Sequence, residues 1–218
     1  MTATTDEASK RHTVEMLRKA IVDGTFAPGQ RLVEPELAED FGASRSAVRA
    51  ALIDLTTDGL VERIPNKGAR VRVVSTEEAV AIVECRMALD ALCVAKAATH
   101  ATDEEIAQLE EIGRQLSQAV TDGEPLKYSA LNLDLYKRIR AFSGQFVAER
   151  LLVRLQDQLV RFQFRLTLLP GKTQVWLPQQ LAIIDAIVRR QPDEAESRLR
   201  VHLLSVIDAL HTADEHPR

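Results

Sequence analysis

At 218 residues, 45% of them apolar and 28% charged, the chain is long enough for two small domains and can bury a core, which excludes a disordered polypeptide. No run approaches the roughly 18 uninterrupted apolar residues of a membrane span. The opening MTATTDEASKR also lacks the apolar centre of a signal peptide, so a cytoplasmic protein without membrane contact is expected. The net charge is −4 and unevenly spread: residues 1–75 hold 11 Lys and Arg against 11 Asp and Glu, and the remainder 17 against 21. A claim for nucleic acid must rest on where the cations sit, not on how many there are.

In chain order, Val14, Leu17, Ile21 and Val22 set a helical period over 10–24 that Gly24 stops. Phe26-Ala27-Pro28-Gly29-Gln30 reads as a turn. A short helix over 34–41 puts Leu37, Ala38 and Phe41 on one face, and Gly42 breaks it. Ser44 is placed to cap a second helix running to about Asp58, with Val48, Leu52 and Leu55 inward and Gly59 as its stop. Residues 60–64 and 69–74 alternate like strands across Pro65-Asn66-Lys67-Gly68, a hairpin signal.

After Ser75 the pattern is helical only, with six segments near 76–100, 103–121, 124–143, 145–168, 173–190 and 192–211. The expectation is a mostly α chain. A winged helix-turn-helix fills residues 1–75, and an all-α six-helix bundle fills 76–218. Cys85 and Cys93, eight residues apart on one helix, cannot bridge and read as free core thiols.

Two helices joined by a tight turn and followed by a hairpin match a DNA reader whose second helix enters the major groove by its N-terminal end. That end carries Arg45, Ser46 and Arg49. Arg45 and Arg49, at i and i+4, share a face away from Val48 and Leu52, and arginine suits bidentate pairing with guanine O6 and N7. Ser44 and Ser46 are placed to reach phosphate oxygens, with Lys67 and Gly68 at the hairpin tip. Arg70 and Arg72 alternate on one strand face.

Residues 10–75 resemble the N-terminal domain of the GntR family of bacterial regulators. The matching segments are Leu17-Arg18-Lys19-Ala20-Ile21-Val22-Asp23-Gly24, Pro28-Gly29-Gln30-Arg31-Leu32, Glu36-Leu37-Ala38, Gly42 to Leu52, Asp58-Gly59-Leu60-Val61 and Pro65-Asn66-Lys67-Gly68. The resemblance implies base contacts from Arg45 and Arg49 with Ser44 and Ser46 beside them. It also implies a wing tip at Lys67 and Gly68 entering the minor groove, and adds Arg31 to the DNA-contacting set. Some relatives carry an arginine where this chain has Pro35, so that contact is not carried over.

In the helical half, several otherwise apolar faces each include a polar residue. Arg86 lies with Ala79, Ile82, Val83 and Leu89, and Asn132 and Tyr136 lie with Leu131, Leu135, Ile139 and Phe142. Gln180 lies with Trp176, Ile183, Ile184 and Ile187, and His202 with Leu199, Leu203, Val206 and Leu210. Buried polar groups need partners, and convergence on a ligand is one economical arrangement. Each has a plainer alternative: His202 as a satisfied core residue, Arg86 paired with Asp90 or Glu84, Asn132 bonded to a neighbouring helix. Arg154, Gln158, Arg161 and Arg165 form a further polar stripe on 145–168, a solvated face of which part could reach such a cavity.

The resemblance continues here to the FadR-type subfamily, whose effector domain is called FCD, with Glu84-Cys85-Arg86-Met87-Ala88-Leu89-Asp90 similar to its first-helix motif. Many FCD domains hold a divalent metal through an Asp-x-x-x-His pair and two later histidines. Aligned through Ala141-Phe142-Ser143-Gly144-Gln145, those positions read Asn132, Tyr136, Gln180 and His202, and one imidazole does not hold a metal tightly. No metal and no cofactor are therefore expected. The effector set is Arg86, Asn132, Tyr136, Gln180 and His202, with a carboxylate one candidate ligand because Arg86 offers it a fork.

The expected function is a DNA-binding regulator, a repressor, acting as a homodimer on a pseudo-palindromic operator and tuned by a small organic effector. The alternative is a regulator without effector, its helical domain serving only to dimerise. An enzyme is not expected. The histidines are scattered at 12, 100, 202, 211 and 216, and HExxH, GxSxG and phosphate-loop motifs are missing.

Overall fold

The computed structural model describes the backbone of residues 2–64 and 68–215, and their side chains except at 2–9, 161, 164, 214 and 215. The chain divides into two compact units, Met1–Val74 and Ser75–Arg218.

In the first unit, helix α1 (Thr2–Val22) precedes strand β1 (Arg31–Leu32), α2 (Glu34–Asp40), α3 (Arg45–Thr57), β2 (Val61–Ile64) and β3 (Gly68–Val71). The turn between α2 and α3 passes through Gly42 at φ 58°, a left-handed conformation that glycine adopts without strain. Ser44 caps α3 by accepting the Ala47 N–H at 3.1 Å. Leu17, Ile21, Leu37, Val48, Leu52 and Leu55 meet Leu32, Val61 and Val71 in one core, so the helices are clamped onto the sheet. That sheet is antiparallel in the order β1-β3-β2, with Arg31 opposite Arg70 and Ile64 opposite Gly68.

Several details differ from the sequence reading. α1 begins at Thr2 rather than near residue 10 and ends at Val22. β3 ends at Val71 rather than 74, because its partner runs out: Arg72 N–H donates to Leu60 at 2.9 Å, and Gly59 at φ 75° turns the neighbouring strand away. β1 was not anticipated, since two residues carry no readable alternation.

The second unit is a bundle of six helices among the described residues: α4 (Thr76–His100), α5 (Asp103–Thr121), α6 (Pro125–Phe142), α7 (Phe146–Thr167), α8 (Lys172–Val188) and α9 (Pro192–Glu215). Ser75 and Thr102 cap α4 and α5, the latter in a reciprocal box with Glu105. α4 packs on α6, α7, α8 and α9, so one face of this central helix looks into the middle of the bundle.

Candidate functional site

In the first unit the exposed end of α3 gathers the expected DNA-facing groups. Arg45, Ser46 and Arg49 are exposed, while Ala47, Val48 and Leu52 of the same helix are buried. Ser44 and Ser46 share a hydroxyl hydrogen bond at 2.9 Å. Arg49 is not free: its Nε lies 3.1 Å and its Nη2 2.8 Å from Glu34 Oε2. The hydrogen bond from Arg49 and the nearby charges of Arg49, Arg63 and Arg45 hold the Glu34 carboxyl below the ordinary carboxylate range, against an opposing effect of partial burial. Arg31, Glu34, Arg49, Arg63 and Gly68 line one groove of about 250 Å³. Glu34 and Arg63 were not singled out from sequence. Glu34 sits in a run, EPELAED, that reads as an ordinary acidic helix start. Arg70 is held by Glu62 at 2.6 Å, and Lys67 lies outside the described residues.

In the second unit Arg86, Asn132, Tyr136, Gln180 and His202 line one cavity of about 50 Å³, room for a few water-sized molecules. α4 supplies Arg86, α6 Asn132 and Tyr136, α8 Trp176 and Gln180, and α9 His202. Part of its polar lining satisfies itself. Tyr128 donates its hydroxyl to Gln180 Oε1 at 2.6 Å, and Gln180 Nε2 donates to Asn132 Oδ1. His202 Nδ1 lies 2.9 Å from Gln179 Oε1, so this nitrogen carries the proton. The imidazole stacks on Tyr136, ring centroids 6.3 Å apart, with the Trp176 ring edge-on at 6.2 Å.

The rest of the lining is short of partners. Arg86 Nη2 reaches Asp90 Oδ2 at 3.4 Å, but Asp90 also takes Arg140 Nε at 3.1 Å, so two buried guanidinium groups share one carboxylate. Arg86 Nε, the Tyr136 hydroxyl and the Trp176 indole nitrogen are buried without a hydrogen-bond partner. Burial pushes the Arg86 pKa down and the Tyr136 pKa up. Burial, then the Arg86 charge, lower His202 to about 4, so the imidazole is neutral at pH 7. With Tyr136 and His202 neutral, the buried charges of the second unit among the described residues are two cations, Arg86 and Arg140, and one anion, Asp90.

The solvated face expected for the α7 stripe holds at Arg154 and Arg165, and one sequence expectation needs correction. On α7 the cavity wall is Gln156, Leu159, Phe162, Gln163, Leu166 and Thr167, and the stripe residues Arg154, Gln158 and Arg165 do not line it. Leu152, Leu159 and Leu166 fix the inward face at heptad spacing, and that rotation leaves Arg154 and Arg165 exposed. The Arg161 side chain lies outside the described residues. Of the two thiols, Cys93 is buried but Cys85 is exposed.

The cavity does not fit a divalent metal. Its ligand-type positions offer two amides already bonded to each other, a phenol and one imidazole, beside a guanidinium that repels a cation. Among the described residues no three His, Cys, Asp or Glu side chains are placed to hold a metal ion together.

Comparison with known proteins agrees with both halves. Residues 9–71 match bacterial regulatory proteins of the gntR family, and residues 81–205 match the FCD domain. The HTH-type transcriptional repressor NanR of Escherichia coli (strain ATCC 8739) is 30% identical, over 90% of this chain and 82% of that protein. The Nta operon transcriptional regulator of Aminobacter aminovorans is 29% identical over 85% and 86%. Among solved structures, E. coli McbR/YncC shares the fold with a TM-score of 0.80 at 21% identity, over 94% and 98% of the two chains. The chain therefore belongs to the gntR family of bacterial regulatory proteins: it is a DNA-binding transcription regulator with an FCD domain, and not an enzyme.

Proposed function

We propose that this regulator is a cytoplasmic repressor that binds a pseudo-palindromic operator as a homodimer, and that its FCD cavity takes a small organic anion, a carboxylate, which lowers operator affinity. Arg45 and Arg49 read bases, Ser44, Ser46 and Arg31 hold the backbone, and Lys67 and Gly68 form the wing tip. A relative 30% identical is named a repressor, which supports the sign of regulation. Among the described residues no helix is long and apolar enough to cross a membrane.

The observation that carries the ligand reading is the shortage of partners around Arg86. Two buried cations share Asp90, and three donors lining the cavity, Arg86 Nε, Tyr136 Oη and Trp176 Nε1, have no acceptor. Unpaired buried donors and uncompensated charge are costly. A carboxylate supplies both the missing charge and up to four acceptor sites. The small volume limits a ligand that leaves the walls in place to a few non-hydrogen atoms. The same small volume, with the self-satisfied Tyr128–Gln180–Asn132 chain, favours the second reading, a helical domain that only dimerises.

Thermal melts against a panel of small mono- and dicarboxylates separate the two readings. A ligand present at a hundred times its Kd adds about 2.7 kcal/mol to the folded state. One or more panel members should raise the melting temperature of the wild type and leave Arg86→Met unchanged. No shift from any member at millimolar concentration would leave the dimerisation reading standing.

A further inference from the structure

The Glu34 carboxylate grips one particular edge of the Arg49 guanidinium. It takes the Nε side, with Nε at 3.2 Å from Oε1 and 3.1 Å from Oε2, and Nη2 at 2.8 Å from Oε2. A guanidinium carries five N–H groups in a fixed plane. With the Nε/Nη2 edge occupied, the remaining Nη2 hydrogen and the Nη1 hydrogen beside it form the end-on fork that matches guanine O6 and N7. Arg45, one turn earlier on the same face, has no side-chain hydrogen bond or ion pair among the described residues.

The two partners differ in exposure. Glu34 is the first residue of α2, followed by Pro35, and its side chain is 29% exposed; that of Arg49 is 62% exposed. The better-buried carboxylate therefore holds the more exposed guanidinium. α2 itself, EPELAED, contains no cation, so its start has only an acid to offer at a surface that must approach phosphates.

We infer that Glu34 is a positioning residue for base reading: it holds Arg49 by its side edge, presents the end-on fork to one base pair, and so sets specificity there while lowering the general attraction for DNA. The inference rests on the reading of Arg49 as a base-contacting residue. Fixing a long side chain before binding removes its ordering cost from the complex, which explains an acid kept at a nucleic-acid surface.

The test uses full-length protein and an operator selected from a random pool. Dissociation constants are measured for wild type, Arg49→Ala, Glu34→Ala and Glu34→Gln on operators carrying each single base-pair change and on a random-sequence duplex. Wild type should discriminate about 5- to 150-fold at the base pair that Arg49 reads. Arg49→Ala should erase that ratio. Glu34→Ala should erase most of it at the same pair, yet bind the random duplex at least as tightly as wild type, because a negative charge is gone. Glu34→Gln keeps one acceptor oxygen and the start of α2, and should fall between. If Arg49→Ala loses the ratio and Glu34→Ala keeps it, positioning by Glu34 is overturned and the Arg49 reading survives. If Arg49→Ala keeps every ratio, the Arg49 reading fails and takes this inference with it. Loss at a different base pair in Glu34→Ala, or equal weakening on operator and random duplex, also overturns it.

Discussion

Asp90 and Arg140 join α4 to α6 through a buried ion pair, Nε to Oδ1 at 3.1 Å, with side-chain exposures of 2% and 5%. The second oxygen of the same carboxylate faces Arg86 at 3.4 Å. Removing a shared buried anion strands two cations, which is worse than removing either of them. Asp90→Ala should destabilise the second unit by roughly 3–5 kcal/mol in urea unfolding. Arg86→Met, which leaves Asp90 and Arg140 paired, should cost much less. Equal losses in the two variants would mean that Asp90 does not balance both guanidinium groups.

His202 gives a pH signature of the buried cavity wall. Burial first, and Arg86 second, lower its pKa from the ordinary 6.5 to about 4. Between those values the unfolded chain binds a proton that the folded chain refuses. The contribution to stability is therefore complete above pH 6.5 and is lost as pH falls towards 4, by on the order of 3 kcal/mol. Carboxylates titrate in the same range, so the readout is the difference between wild type and His202→Gln in urea unfolding at pH 7 and pH 4.5. The variant should lose less stability than wild type. Identical losses would mean that the imidazole is accessible to protons in the folded state.

Assembly is tested by sedimentation. A recognition helix reads only a few base pairs, so two copies are expected to share one operator. The expected species at micromolar concentration is a dimer, with two chains bound per operator. A monomer binding singly would contradict the homodimer.

Much of this architecture was legible because the chain obeys local rules. Gly42, Ser44, Gly59, Thr102, Gly123 and Pro192 punctuate helices whose apolar spacing is regular, and the six bundle helices fall close to their expected bounds. Arg86, Asn132, Tyr136, Gln180 and His202 stood out as polar residues on apolar faces, and they meet around one cavity. Arg140 did not stand out. It follows Lys137 and Arg138 in a basic stretch, and only its packing against Asp90 distinguishes a buried arginine from a solvated one. Gln156 and Gln163 were hidden likewise, since the rotation of α7 decides which of its polar residues turn inward. The Glu34–Arg49 pair spans fifteen residues and two helices, so no helical periodicity announces it.

The effector claim is tested most directly by operator binding with and without a cavity ligand. The measurement is fluorescence anisotropy of a selected operator, titrated with wild type and Arg86→Met, in the presence and absence of a carboxylate that raises the wild-type melting temperature. A ligand shifts the regulator only through unequal affinity for its DNA-competent and incompetent forms, and a typical coupling changes affinity about 5- to 150-fold. The expected result is weaker operator binding by a factor in that range for wild type, no change for Arg86→Met, and equal affinities of the two proteins without ligand. Operator affinity that stays the same for wild type when the stabilising carboxylate is bound, or that falls equally in Arg86→Met, would contradict the account.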